Sequence, residues 1–238
     1  MIPHEQPLTI GSLLFEGIDQ IDLTGPFEVF SRLPNATVRL YAKDAGPVRD
    51  VRGLRLLPDA TLDEAPQLDV LHVPGGAGQE ELMHDEAVLS WVRRQAGGAR
   101  VVFSVCTGAL ILGAAGLLRG RRATTYWTAL PLLAAYGATP VDRRVVVDGD
   151  WTFAAGVTAG IDGALRLAAS LRGEEVARAI QLSIQYAPEP PFESGTPQSA
   201  SPETVATVRR ASAALIARRE ATARAFAERF GLVSGDRG

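Results

Sequence analysis

The chain has 238 residues, 46% of them hydrophobic and 21% charged, with a formal net charge of −3. That balance suits a globular chain with one sizeable core and excludes a disordered one; the dispersed basic residues leave no electrostatic footprint for nucleic acid. A single cysteine, Cys106, excludes an internal disulfide and a cysteine-cluster metal site.

In chain order, Leu8–Phe15 is predicted as a first strand. After the loop Glu16–Asp22, a helix opens over Leu23–Phe30, with Thr24 as its cap and Pro26 in its first turn. Ala36–Ala42 reads as a second strand and Val48–Leu57, broken at Gly53, as a hairpin or edge pair. Leu68–Val73 is a buried strand ending in Pro74-Gly75-Gly76-Ala77-Gly78, and Glu86–Ala96 is an amphipathic helix. Arg100–Val105 is an apolar strand followed by Cys106 and a nearly all-apolar helix over Thr107–Leu118. Trp127–Tyr136 reads as a helix stopped by Gly137, and Val145–Phe153 as a hairpin on an Asp-Gly turn. Helices follow over Thr158–Leu171 and Glu174–Tyr186, then a Pro- and Ser-rich loop from Ala187 to Pro202. One long helix closes the chain over about 203–230, with a partial apolar stripe at Val205, Val208, Ala211, Leu215 and Phe226.

Strands alternating with helices predict an α/β fold, an open and mostly parallel sheet covered on both faces. No repeat and no composition break divides the chain, so residues 1–238 are expected to form one domain, the C-terminal helix docked on the core or on a second subunit. The N-terminus lacks a signal-peptide pattern and no apolar run approaches membrane-spanning length, so a cytoplasmic protein is expected.

Three predicted loops end strands with chemically suggestive residues: Asp22, Gly75 with Gly76, and Cys106. In a parallel sheet such loops share one rim, where ligands bind. Strand, cysteine, helix is the layout of a nucleophile elbow. It predicts a strained backbone at Cys106 and, through the helix-start amides, a lowered thiol pKa. The alternative is a cysteine acting as a small buried hydrophobe. The Gly75 and Gly76 amides, with that of Thr107, are placed to bind a developing negative charge; taken alone, the same glycines make an ordinary strand-to-helix turn. Asp22 alone reads as a helix N-terminal charge; beside a thiolate it would hold its proton to higher pH and could donate it. The histidines at 4, 72 and 84 have no second ligand at metal-binding spacing, so no metal centre is expected.

At these residues the chain resembles the ThiJ/PfpI group of the class I glutamine-amidotransferase-like superfamily, of flavodoxin-like architecture. Within that group it is similar to the isocyanide hydratases. The matching segments include Gln20–Phe27, Val73–Gly78, Ser104–Leu110, Gly113–Gly120, Arg122–Trp127, Gly156–Asp162 and Tyr186–Phe192, extending from about residue 8 to about residue 200. The resemblance implies a cofactor-free homodimer with Cys106 as nucleophile, Asp22 as general acid and base, and Thr107 assisting. Its small-molecule substrate would be an isocyanide, with no nucleic acid or membrane as partner. Tyr126 and Trp127 are expected near the substrate; similar proteins often have histidine where this chain has Tyr126. A glyoxalase-like enzyme on this fold would carry glutamate at position 22. A stand-alone ligand or redox sensor is the rival reading from another class, and a cysteine hydrolase lacks its histidine base here.

Overall fold

The computed structural model describes residues 2–232 of the chain, so the two ends of the expected 1–238 domain lie outside the described residues. The elements are β1 (Leu8–Leu13), α1 (Gln20–Phe30), β2 (Ala36–Ala42), β3 (Val48–Arg49), β4 (Arg55–Leu56), β5 (Ala60–Thr61), β6 (Val70–Val73), α2 (Gln79–Leu82), α3 (Glu86–Gly98), β7 (Val101–Val105), α4 (Gly108–Ala114), β8 (Arg122–Ala123), β9 (Thr139–Pro140), β10 (Val145–Asp148), β11 (Trp151–Ala154), α5 (Ala159–Arg172), α6 (Glu174–Ser183), α7 (Pro202–Ala211) and α8 (Ala213–Arg229).

Seven strands form the main sheet in the order β10-β11-β7-β6-β1-β2-β5. All neighbours pair in parallel except the β10–β11 hairpin. This is the expected open, mostly parallel, flavodoxin-like α/β arrangement. Its central strands are buried on both faces, and that is why β6 is apolar but for His72 and lacks polar alternation. One core layer gathers Leu89, Trp91, Val92 and Leu110–Leu112; the other gathers Val29, Phe30, Leu167, Leu171 and Ile180.

Four predicted elements differ in detail. Helix α1 begins at Gln20, with Asp19 rather than Thr24 as its cap: the Asp19 carboxylate accepts from the Ile21 amide at 3.1 Å. Asp22 therefore sits in the first helical turn, and Pro26 lies inside the helix, where it can offer no N–H to the Asp22 carbonyl. The expected helix at Trp127–Tyr136 is a 3₁₀ segment over Leu130–Tyr136, ended by Gly137 at φ 78°. The helix after Cys106 is shorter than expected, closing at Ala114 before Gly116 turns the chain at φ 79°.

The long C-terminal helix is two helices, α7 and α8, broken at Ser212. Helix α8 seats on the core through buried Ala223 and Ala227 and through Phe226, whose ring lies 4.8 Å from that of Tyr136. Of the rest of the expected stripe, Val205 and Leu215 are half-buried and Val208 and Ala211 are exposed. Among the described residues no helix is long and apolar enough to cross a membrane.

Candidate active site

The three loops expected to meet do meet, because β1, β6 and β7 are consecutive in the sheet and parallel. Cys106 follows β7 at φ 55°, in the left-handed region that a side chain rarely adopts. Its backbone is held from both sides: its amide donates to the Ala154 carbonyl at 3.0 Å, and its carbonyl accepts from the Thr125 hydroxyl at 2.6 Å. The expected strain, on the order of 1–3 kcal/mol, is thus offset by flanking hydrogen bonds and packing. Gly108 makes the turn possible, since a Cβ there would lie 2.0 Å from the Val73 carbonyl oxygen.

Asp22 is fully buried, its Oδ1 has no hydrogen-bond partner among the described residues, and its carboxyl group lies beside the Cys106–Thr107 turn: a Cβ on Gly75 would be 3.0 Å from Asp22 Oδ2 and 2.5 Å from the Thr107 nitrogen. The Gly75 amide donates to Asp22 Oδ2 at 3.0 Å. Burial, then the charge of Asp19, pushes the Asp22 carboxyl up to about 8, against the lowering effect of the Gly75 amide and the Cys106 thiol. The expected raised carboxyl is therefore present. The thiol behaves otherwise than expected. Burial, then the Asp22 charge, drives Cys106 well above an ordinary thiol, outweighing the Thr107 amide and the Arg219 charge. A helix start favours a thiolate, but exclusion of water costs the charged form more. Both shifts favour the uncharged forms, a thiol beside a carboxylic acid.

Thr107 is buried, and its hydroxyl accepts from the Gly76 amide at 3.2 Å and donates to the Gly76 carbonyl at 3.3 Å. The amides of Gly75 and Gly76 are thus engaged with Asp22 and Thr107, holding those side chains, and the Thr107 amide is the backbone donor directed at the sulfur. Gly75 has no alternative, since a Cβ there would lie 2.5 Å from the Thr107 nitrogen.

Tyr126 and Trp127, with ring centroids 5.9 Å apart, line a cavity of about 390 Å³ together with Thr125, Gly156, Val157 and Val205. Cys106 and Asp22 do not line it; Thr125, which lines it, donates to the Cys106 backbone carbonyl. The Tyr126 hydroxyl is raised by burial and also by the proximity of Cys106.

Two residues near the site have places that local sequence does not mark: His72, which the sequence shows only as a histidine without a partner ligand, and Arg219. His72 on β6 is fully buried, stacked on Phe103 at 5.2 Å, with Nδ1 paired to the Ser12 hydroxyl at 2.9 Å. Burial drives its pKa down to about 3, opposed by the Asp22 backbone, so it stays neutral beneath α1. Arg219 reaches the site from α8, and its guanidinium donates to Gln79 Oε1 at 2.8 Å and to the Gly76 carbonyl at 3.0 Å. Nothing local marks one arginine among the many of that segment. Among the described residues no group of three or more His, Cys, Asp or Glu is assembled to hold a metal ion.

Residues 9–170 match the DJ-1/PfpI family. The chain belongs to the DJ-1/PfpI family. Among known family members it is 51% identical to the isonitrile hydratase of Pseudomonas putida over 93% of this chain and 97% of that protein. A ThiJ/PfpI family crystal structure from Pseudomonas syringae superposes with a TM-score of 0.90 at 36% identity, covering 93% of both chains. The chain is also 30% identical to the HTH-type transcriptional regulator GbdR of Pseudomonas aeruginosa over 77% of its own length and 52% of the regulator.

Proposed function

We propose that the protein is an isocyanide hydratase, a hydro-lyase that converts R–NC and water into the formamide R–NH–CHO. The observation that carries this reading is the pairing of a buried thiol with a buried, proton-holding carboxyl group. The extensive likeness to an isonitrile hydratase supports it. An isocyanide carbon must accept a nucleophile and a proton at the same atom. Cys106 sulfur bonds to that carbon while Asp22 delivers a proton to it and takes up the proton leaving the thiol; the product is a thioimidate, R–N=CH–S–Cys106. Asp22 then passes its proton to the thioimidate nitrogen and becomes a carboxylate, and water adds to the same carbon while that carboxylate accepts one water proton. The C–S bond breaks with its electron pair on sulfur, the adduct's hydroxyl proton passes to the thiolate, and the formamide departs with Asp22 protonated as at the start.

In this reading Cys106 and Asp22 are catalytic, and the Thr107 amide steadies the sulfur when it carries charge. Gly75 and Gly76 hold Asp22 and Thr107, while Tyr126 and Trp127 bound the space for the R group. The working form is a cytoplasmic homodimer built of one domain per chain, and light scattering at the mass of a single chain would count against it.

Incubation with an alkyl isocyanide, followed by formamide assay, tests the reaction. Wild type should turn over, Cys106→Ala should not, and Asp22→Asn should keep its fold while losing about 10²–10⁴-fold in rate. Trapped wild type should gain the mass of the isocyanide at Cys106. A wild-type chain that makes no formamide overturns the proposal. The second reading, a ligand or redox sensor, is supported by the likeness to a transcriptional regulator; it predicts isocyanide binding or thiol oxidation without formamide.

A further inference from the structure

The guanidinium of Arg219 is buried, with only 5% of the residue exposed. All its hydrogen bonds among the described residues go to neutral oxygens: Gln79 Oε1, the Gly76 carbonyl and, at 3.4 Å, the Thr107 hydroxyl. None of the ion pairs among the described residues involves it. A full positive charge removed from water without an anion is strongly disfavoured, so what each buried arginine holds has to be accounted for. The molecule contains a contrasting case. Arg172, equally buried, donates to the carbonyls of Ile2, Pro3, Gln6, Pro34 and Asn35 and stitches backbone segments together. Arg219 instead grips the two loops that carry Gly76 and Thr107.

We propose that Arg219 is the counter-charge for the Cys106 thiolate and the positioning residue for the Thr107 loop, carried into the active site by the C-terminal helix. This rests on the reading of Cys106 as the nucleophile. The charged groups facing the pair come from several elements. Asp22 and Asp19 at the start of α1 oppose the thiolate, while Arg219 and the Thr107 amide favour it. Tyr126 beyond β8, Glu80 of α2 and the neighbouring Arg218 act on Arg219 itself. The proton inventory gives Arg219 its moment of action. While Asp22 is protonated its opposing charge is absent, and among the described residues the Arg219 guanidinium is then the positive charge that favours the thiolate against Asp19. The same charge receives the thiolate expelled when the thioimidate breaks down.

The test compares Arg219→Gln, which removes the charge but keeps a hydrogen-bonding head, with Arg219→Lys, which keeps the charge. The rate of Cys106 alkylation by iodoacetamide is followed against pH, beside kcat and KM for formamide release. The Gln variant should move the alkylation midpoint up by about one pH unit, with about a tenfold fall in kcat at neutral pH and KM within about twofold. The Lys variant should return most of both. An unchanged alkylation profile in the Gln variant, or a Lys variant no better than Gln, overturns the counter-charge. If the Gln variant does not fold, Arg219→Met is read in the same assay, since an apolar replacement leaves no buried charge. Loss of folding in both assigns Arg219 to the scaffold and overturns the proposal. Alkylation needs no isocyanide, so a wild type inactive in hydration would sink the proposed reaction while leaving this charge pairing separately decided.

Discussion

Asp22 enters the folded chain as a carboxylic acid, and this has a measurable consequence for stability. Its pKa rises from 3.8 to about 8 on burial, so between those values the folded state binds a proton that the unfolded state releases. Stability from this residue is full below about pH 4, declines as pH rises, and is lost above about pH 8. His72 acts in the opposite window. Its pKa falls from 6.5 to about 3, so the unfolded state binds the extra proton there and stability declines as the solution is acidified through that range. Asp22→Asn should therefore remove a decline of Tm with rising pH between about pH 4 and 8 and leave the His72-dependent loss on acidification in place. Parallel curves for wild type and variant would mean that the carboxyl group is not a buried acid. The environment that raises Asp22 also raises Cys106, and a water-excluding pocket explains both.

At the scale of elements, the site is a consequence of where α4 starts. The β7–α4 turn must pass directly under the end of β6, and a Cβ at Gly108 would meet the Val73 carbonyl oxygen at 2.0 Å and the Pro74 carbonyl oxygen at 2.9 Å. Both obstacles are backbone, so neither can swing aside. Gly108→Ala should destabilise the chain by about 1–3 kcal/mol by overpacking. It should also slow Cys106 alkylation, because the turn that holds φ 55° must open. Urea denaturation and iodoacetamide kinetics on the same sample check both, and a variant with wild-type values in each would contradict the tight crossing. The start of α1 was harder to read. Thr24-Gly25-Pro26 carries the chemistry of a helix opening, yet Asp19 takes the cap because its carboxylate reaches the Ile21 amide. That shift of five residues moves Asp22 from a loop onto a rigid helical turn.

Across the whole molecule, α8 joins the far end of the sequence to the active site. Its anchor is Phe226, stacked at 4.3 Å on Phe230 and tilted against Tyr136, and Arg219 lies about two turns before it. Phe226→Ala should cost about 1–3 kcal/mol, as expected for a partly buried aromatic side chain. Loosening the helix should also raise the pH at which Cys106 alkylates. If Tm falls while the alkylation profile stays fixed, the helix steadies the fold without acting on the thiol.

Local sequence determined the alternation of strands and helices, the hairpin on Asp148-Gly149-Asp150-Trp151, and the place of Cys106 between an apolar strand and a small-residue helix. These follow from periodicity, burial of short apolar runs and turn chemistry, all of which operate within a few residues. The meeting of Asp22, Gly75 and Cys106 on one rim was also legible, because parallel strands point their carboxyl ends the same way. The tertiary structure alone decided the rest. The direction of the Cys106 shift depends on how completely water is excluded, and the 3₁₀ segment at Leu130–Tyr136 is shaped by its packing against α4 and α8. Arg219 could not be singled out by pattern at all, since its distinction is the burial of its charge against Gly76 and Thr107, more than a hundred residues earlier in the chain. Periodicity is a property of neighbours in sequence; the energy of a charge depends on everything packed around it.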